Sequence, residues 1–217
     1  MDNANVDKVI AILRRETKKY RTPIVTEVSW RREPFLVLIS CLLSLRTKDA
    51  TTAKASARLF KLAKSPARMA KLSARQIENA IYPVGFYKTK AIRIKEICRV
   101  LVEKYKSKVP DEIDELLKLK GVGRKTANLV VGLGYGKPSI CVDTHVHKIS
   151  NRLGYVKTKN PHETEFALRK KLPKIYWLIY NDLLVTWGQN ICVPISPWCS
   201  RCAIRKYCRR IGVKKSR

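Results

Sequence analysis

The chain has 217 residues, enough for one large hydrophobic core or two modest domains. Lys and Arg number 46 against 17 Asp and Glu, which gives a net charge of +29 at pH 7. Such an excess implies a polyanionic partner, either nucleic acid or an acidic membrane surface. The apolar runs are too short to span a bilayer, and the first residues lack the basic-then-apolar order of a signal peptide. The composition therefore favours nucleic acid over a membrane and predicts an intracellular location.

Apolar residues recur at helical spacing along the chain, and no long alternating strand pattern competes with them. We therefore predict an all-α fold. A Gly-rich stretch, Gly132–Pro138, predicts a crossing between two domains. Seven of the predicted helices have both ends set by the pattern: Val6–Tyr20, Pro34–Leu45, Thr51–Leu62, Thr89–Tyr105, Asp111–Leu119, Lys125–Val131 and Lys174–Gln189. Three more are predicted from their end signals. A Ser73–Gln76 capping box opens a helix that ends at Ile81, another helix ends at Leu153, and Asn160-Pro161 opens a third.

A Gly-Val-Gly turn separates two of these helices within the segment Leu116–Ala127. This is the helix-hairpin-helix pattern, in which glycines let backbone amides approach a phosphate without reading the base sequence. Lys125 comes just after the turn, at the positive end of a helix, which attracts phosphate and disfavours an ammonium. Lys125 is therefore a candidate nucleophile, held partly as a free amine. The alternatives are a plain helix–helix turn and a lysine on a solvated face.

Asp143 follows an apolar stretch and precedes a predicted helix. Its residue type and position predict an N-cap. That role does not exclude function, because a capping carboxylate is rigidly aimed. The three histidines (His145, His147 and His162) show no ligand spacing, so we interpret them as structural.

Seven cysteines divide into two groups. Three sit singly among apolar residues and are predicted to be buried: Cys41, Cys98 and Cys141. The other four, Cys192, Cys199, Cys202 and Cys208, have the spacing C-x6-C-x2-C-x5-C. An intracellular location disfavours disulfides, so these thiolates are predicted to wrap one metal centre. Structural zinc usually draws on two C-x2-C pairs and only one is present, so a 4Fe–4S cluster fits at least as well; spacing leaves both open.

In order and spacing, Gly121–Ala127, Val142–His145 and the four-cysteine loop resemble the endonuclease III family of helix-hairpin-helix DNA glycosylases. Upstream segments beginning at Leu42 and Gly85 are also similar to blocks of that family, so the resemblance covers essentially the whole chain. It implies two helical domains with a DNA-binding cleft between them. One is a six-helix barrel over residues 26–136, with the hairpin near 112–132, and the other is an iron–sulfur domain of residues 1–25 and 137–217. The four cysteines would hold a 4Fe–4S cluster.

The resemblance also implies an activity, the removal of oxidised or damaged pyrimidines in base-excision repair. Lys125 is the expected nucleophile and Asp143 its essential partner, and a lysine Schiff base would nick the strand by β-elimination. The expected partner is double-stranded DNA with damaged bases or abasic sites, and we expect a monomer. The alternatives are a thymine or uracil mismatch glycosylase of the same fold and a non-catalytic damage-specific DNA-binding protein.

The resemblance places the expected DNA contacts in two groups. The hairpin residues grip the backbone: Gly121, Val122, Gly123 and Arg124. The second group, Arg46, Val84 and Phe86, matches positions where the family inserts side chains into the duplex. Val84 and Phe86 could equally be core residues, and family members often carry Gln where Arg46 stands.

Overall fold

The structure is a computed structural model that describes residues 3–20 and 33–217. All regular structure in these residues is helical, which confirms the all-α prediction. None of the described helices combines the length and the apolar character needed to cross a membrane. The α-helices are α1 (Asn3–Thr17), α2 (Pro34–Ser44), α3 (Asp49–Leu62), α4 (Pro66–Ala70), α5 (Ala74–Ile81), α6 (Tyr87–Tyr105), α7 (Ile113–Leu117), α8 (Arg124–Leu129), α9 (Thr144–Arg152), α10 (Pro161–Lys171) and α11 (Trp177–Asn190).

The chain divides into two compact units. We call Ile24–Ser139 the hairpin unit, because it contains the Gly-Val-Gly turn. We call Met1–Pro23 together with Ile140–Arg217 the cysteine-loop unit, because it contains the four-cysteine segment. Each unit has its own buried apolar cluster. Burial of this apolar surface is what stabilises helices as short as α7 and α8, which would not persist alone in water.

The core of the hairpin unit is built around α2. This helix starts at Pro34, whose fixed φ suits the first helical position, and residues Phe35–Leu43 are all buried. Helices α3, α5 and α6 supply further buried apolar residues, among them Leu59, Ile77 and Ile94. Cys41 and Cys98 are buried here, as predicted. A helix that is apolar on all sides must be surrounded by others, and α2 is.

The core of the cysteine-loop unit joins segments from both ends of the chain. Helix α1 buries Val6, Val9, Ile10 and Leu13, which lie on one face at helical spacing. They belong to the same apolar cluster as residues of α9 and α11. A short helical turn at Lys174–Tyr176 precedes α11, and another at Arg205–Tyr207 lies within the cysteine segment, between Cys202 and Cys208.

Most predicted helices are confirmed, with boundaries that differ by a few residues. The Ser73–Gln76 capping box is present, with both reciprocal hydrogen bonds. Helix α4 was not predicted, although its Ser65 N-cap and Pro66 are ordinary start signals. The crossing predicted over Gly132–Pro138 starts later than expected, because the chain first continues as a π-helical turn, Val130–Gly134. The division between the two compact units falls just after this stretch, between Ser139 and Ile140.

The reason for Gly134 is packing. A Cβ at this position would lie 2.9 Å from the Cα of Pro34, so only glycine allows the π-helical turn to approach the start of α2 this closely. Its φ is not in the left-handed region. The glycine therefore marks a close helix contact and not a break in the helix.

Candidate active site and cysteine pocket

The predicted helix-hairpin-helix is present in the hairpin unit, with α7 and α8 on either side of the Gly-Val-Gly turn. Val122 is buried in the core, and its amide donates to the carbonyl of Leu119 over 2.9 Å. Gly121 has φ of +88°, a left-handed conformation in which any side chain would be strained. The buried valine therefore anchors the turn, while the two exposed glycines form its outer surface.

Gly123 is the N-cap of α8 and provides no side-chain cap. Nothing lies within 4 Å of where its Cβ would be, so the approach to the first turn of α8 is open at this residue. An open, uncapped helix start is the arrangement that binds a phosphate in many proteins. Arg124 is the first residue of α8 and is half-buried.

Lys125 is the second residue of α8 and is exposed. The residues that follow it, Thr126–Asn128, are buried, so the helix is fixed to the core directly behind the lysine. Burial raises the pKa of the Cys41 thiol in α2 to about 12, and the nearby charge of Lys125 opposes this shift. The exposed Lys125 therefore lies on a helix start that is anchored in the core, near Cys41 of the buried α2.

Asp143 lies in the cysteine-loop unit as the N-cap of α9, which confirms its predicted local role. Its Oδ1 accepts a hydrogen bond from the Val146 amide over 2.9 Å. The preceding backbone is held as well, because Asn181 Nδ2 donates to the carbonyl of Cys141 over 3.1 Å. The half-buried carboxylate is therefore fixed both by its own capping bond and by the segment that leads to it.

Arg46 and Phe86 lie side by side on the hairpin unit, with the guanidinium carbon 5.7 Å from the centre of the phenyl ring. Both are exposed, and 63% of Phe86 is accessible. Both also have left-handed backbones, with φ of +53° and +59°. Val84 is different, because it is only 1% exposed and packs in the core. The structure favours the core interpretation of Val84, and we do not include it among the DNA contacts.

The four predicted ligands, Cys192, Cys199, Cys202 and Cys208, line one pocket in the cysteine-loop unit. Arg152 of α9 lies against it: its Nη1 is 3.3 Å from the Cys192 sulfur, and its carbonyl accepts a hydrogen bond from the Cys208 thiol. The Arg210 amide donates to the Cys208 sulfur over 3.4 Å. Within the described residues, no group of three or more Cys, His, Asp or Glu side chains could hold a single metal ion.

Trp187 of α11 carries an unsatisfied donor beside this pocket. Among the fully buried side-chain nitrogen and oxygen atoms of residues 3–20 and 33–217, its Nε1 alone has no hydrogen-bond partner. Burial raises the pKa of the Cys202 thiol to about 11. The Trp187 N–H lies near this thiol and opposes the shift, but it does not reach the sulfur with hydrogen-bond geometry. A buried N–H without a partner is costly, and a group in the pocket that accepts hydrogen bonds would remove that cost.

Sequence reasoning missed three residues that support these sites: Lys90, Arg152 and Trp187. None belongs to a short motif. Each acts through a contact with residues 40 or more positions away, or through burial, which spacing along the chain does not report.

Residues 39–174, more than half of the chain, match a family described as HhH-GPD superfamily base excision DNA repair protein. The chain belongs to this superfamily. Among its members, endonuclease III of Thermotoga maritima is 51% identical to this chain over 176 residues, which cover 81% of this chain and 83% of the relative. Two solved structures of endonuclease III with DNA, one a non-covalent complex and the other a trapped covalent intermediate, have a TM-score of 0.84 and 34% identity. Both cover 97% of this chain, and 96% and 97% of their own chains respectively.

Proposed function

We propose that this base-excision repair protein removes oxidised or damaged pyrimidines from double-stranded DNA and then cleaves the abasic site, with Lys125 as the nucleophile. The observation that carries the proposal is the position of Lys125, exposed on a core-anchored helix start directly after the open Gly-Val-Gly turn. The similarity to a trapped covalent endonuclease III–DNA intermediate supports a mechanism with a covalent step. Because the substrate is DNA, we also propose an intracellular location.

The reaction proceeds by attack of the Lys125 amine on C1′ of a nucleotide that has left the base stack. The C1′–N bond breaks, and the base leaves and takes up a proton. The C1′–O4′ bond then opens, O4′ takes up a proton, and the lysine remains attached to the open-chain sugar as a Schiff base. Loss of a proton from C2′ then breaks the C3′–O bond and nicks the strand 3′ to the lesion. Asp143 accepts the proton of the attacking amine and stabilises positive charge on the sugar.

The hairpin holds the DNA backbone during this reaction. We assign the contact to Gly121, Val122, Gly123 and Arg124, where the open helix start suits a phosphate oxygen. Arg46 and Phe86 are the exposed pair that enters the duplex when the damaged base leaves it. The two compact units support the proposed domain organisation, a helix-hairpin-helix domain over about 26–136 and an iron–sulfur domain of residues 1–25 and 137–217.

We propose a 4Fe–4S cluster as the group that the four cysteines hold. All four thiols line one pocket, and their C-x6-C-x2-C-x5-C spacing has only one of the two C-x2-C pairs that structural zinc usually uses. The unpartnered Trp187 N–H and the Arg152 guanidinium suit sulfur acceptors. When bound, the cluster would order the loop and its basic residues for contact with DNA.

Borohydride trapping tests the function. Reduction of the Schiff base should give a covalent enzyme–DNA adduct with abasic or oxidised-pyrimidine duplexes. Lys125→Gln should abolish this adduct, while Lys104→Gln, which changes an exposed lysine on α6, should leave it intact. An adduct of wild-type yield in the Lys125→Gln variant would refute the assignment. Lesion DNA that is bound tightly but never cleaved or trapped would instead identify a non-catalytic damage-binding protein.

A further inference from the structure

The side chain of Lys90, on the first turn of α6, reaches into the loop that follows α2. Its ammonium donates to the carbonyls of Leu43 and Leu45 over 2.8 and 2.6 Å and lies 3.3 Å from Oγ1 of Thr47. Three acceptors use the full donor capacity of an ammonium. Lys90 therefore fixes the backbone on either side of Arg46, through contacts with residues 43–47.

The same loop is tied to the segment that carries Phe86. Thr47 Oγ1 also accepts a hydrogen bond from the Gly85 amide over 3.2 Å. Gly85 itself lies so close that a Cβ there would be 2.7 Å from the Arg46 carbonyl oxygen. Lys90, Thr47 and Gly85 thus form one hydrogen-bonded junction between the two loops.

The hydrogen bonds of this junction offset the unfavourable backbone conformations of the two residues that it holds. Arg46 and Phe86 both adopt left-handed backbones, which are unfavourable for residues with side chains and persist only when the surroundings impose them. Desolvation of the Lys90 ammonium is unfavourable too, and it lowers the pKa of Lys90 to about 8. By contrast Lys88, two residues earlier on the same helix, is exposed.

We propose that Lys90 is a positioning residue that holds Arg46 and Phe86 as a preformed wedge, ready to enter the duplex when a damaged base leaves the stack. This inference rests on the proposed function and deepens it. A preformed wedge binds without first ordering its loops, so DNA binding energy goes into opening the duplex. Loss of the wedge should therefore affect the excision of a base more than cleavage at a site whose base is already gone.

The test compares Lys90→Met with the exposed control Lys88→Met. Single-turnover rates are measured on a duplex with an oxidised pyrimidine and on one with a preformed abasic site. A 2-aminopurine opposite the lesion reports unstacking by its fluorescence. For Lys90→Met we expect the excision rate to fall roughly tenfold or more relative to the lyase rate, by analogy with the cost of a misplaced positioning group, together with a loss of the 2-aminopurine signal. Lys88→Met should change neither ratio nor signal.

Thr47→Val is a second variant that keeps the test available if Lys90→Met folds poorly. It removes the shared hydroxyl at little change in volume and should shift the excision-to-lyase ratio in the same direction. Lys90→Arg, which retains the charge and donors, should recover part of the excision rate. Equal excision-to-lyase ratios in Lys90→Met, Thr47→Val and Lys88→Met would overturn the inference, as would a parallel fall of both rates that tracks the melting temperature. Failure of the wild-type protein to be trapped by borohydride would instead count against the proposed function.

Discussion

The guanidinium of Arg152 lies against the sulfur of Cys192, with Nη1 3.3 Å from Sγ. The same side chain donates to the carbonyls of Val193 and Pro194 over 2.9 and 2.8 Å. One buried arginine on α9 therefore holds both the first cysteine and the backbone that follows it. The start of the cysteine loop is fixed from the helix that Asp143 caps.

This contact predicts the effect of Arg152→Met. The variant keeps an apolar stem of similar length but leaves several carbonyls without a charged donor, at a cost of about 3 kcal/mol or more. We expect a lower melting temperature and, if the proposed 4Fe–4S cluster is bound, less iron and weaker visible absorbance than in the wild-type protein. Arg205→Met is the control, because Arg205 lines the same pocket but is exposed. Equal iron content in the two variants would show that Arg152 does not organise the loop.

Trp187 provides a test of the proposed 4Fe–4S cluster. If the four cysteines hold it, Trp187→Phe should lower its reduction potential, because a buried N–H donor near the Cys202 sulfur would stabilise the reduced form. Trp177→Phe is a matched control, since its indole is also buried but donates to the carbonyl of Leu172 over 2.8 Å. That control should lose about 1 kcal/mol of stability with no change in potential. Protein-film voltammetry measures both, and identical potentials would exclude the Trp187 hydrogen bond.

The two roles of Asp143 can be separated by two substitutions. Asn caps a helix about as well as Asp, so Asp143→Asn should keep the stability of the folded protein. Asp143→Ala removes the bond to the Val146 amide and should cost about 1 kcal/mol. If the carboxylate also serves the reaction, both variants should lose excision activity to a similar extent. Wild-type excision rates in Asp143→Asn would restrict this residue to its capping role.

These sites differ in how far the sequence could reveal them. The hairpin and the Asp143 cap were predictable, because a Gly-x-Gly turn and an N-cap are local patterns whose geometry follows from a few adjacent residues. DNA contact by Arg46 and Phe86 was expected only from family resemblance, and neither their contact with each other nor the role of Lys90 was expected. The acceptors of Lys90 lie 43 to 47 positions earlier in the chain. Gly134 shows the same limit, because a glycine that a distant proline requires looks, in sequence, like one that a turn requires.

The stability of the cysteine-loop unit should depend on pH through His147. Its Nδ1 lies 2.7 Å from Oγ1 of Thr164, and burial lowers its pKa below the ordinary value of 6.5. The unfolded chain therefore binds a proton at a higher pH than the folded one. The stability that this difference contributes is present above about pH 6.5 and is lost as the pH falls from there through the lowered pKa.

Urea unfolding between pH 7.5 and 5 measures this contribution. The free energy of unfolding of the wild-type protein should decrease over the acidic part of that range, and His147→Gln should flatten the decrease, because glutamine does not titrate. His162→Gln changes an exposed histidine on α10 of the same unit and should reproduce the wild-type curve. If His147→Gln and His162→Gln have the same slope with pH, the acid sensitivity arises elsewhere, and His147 contributes only through its hydrogen bonds with Thr164 and Asn151.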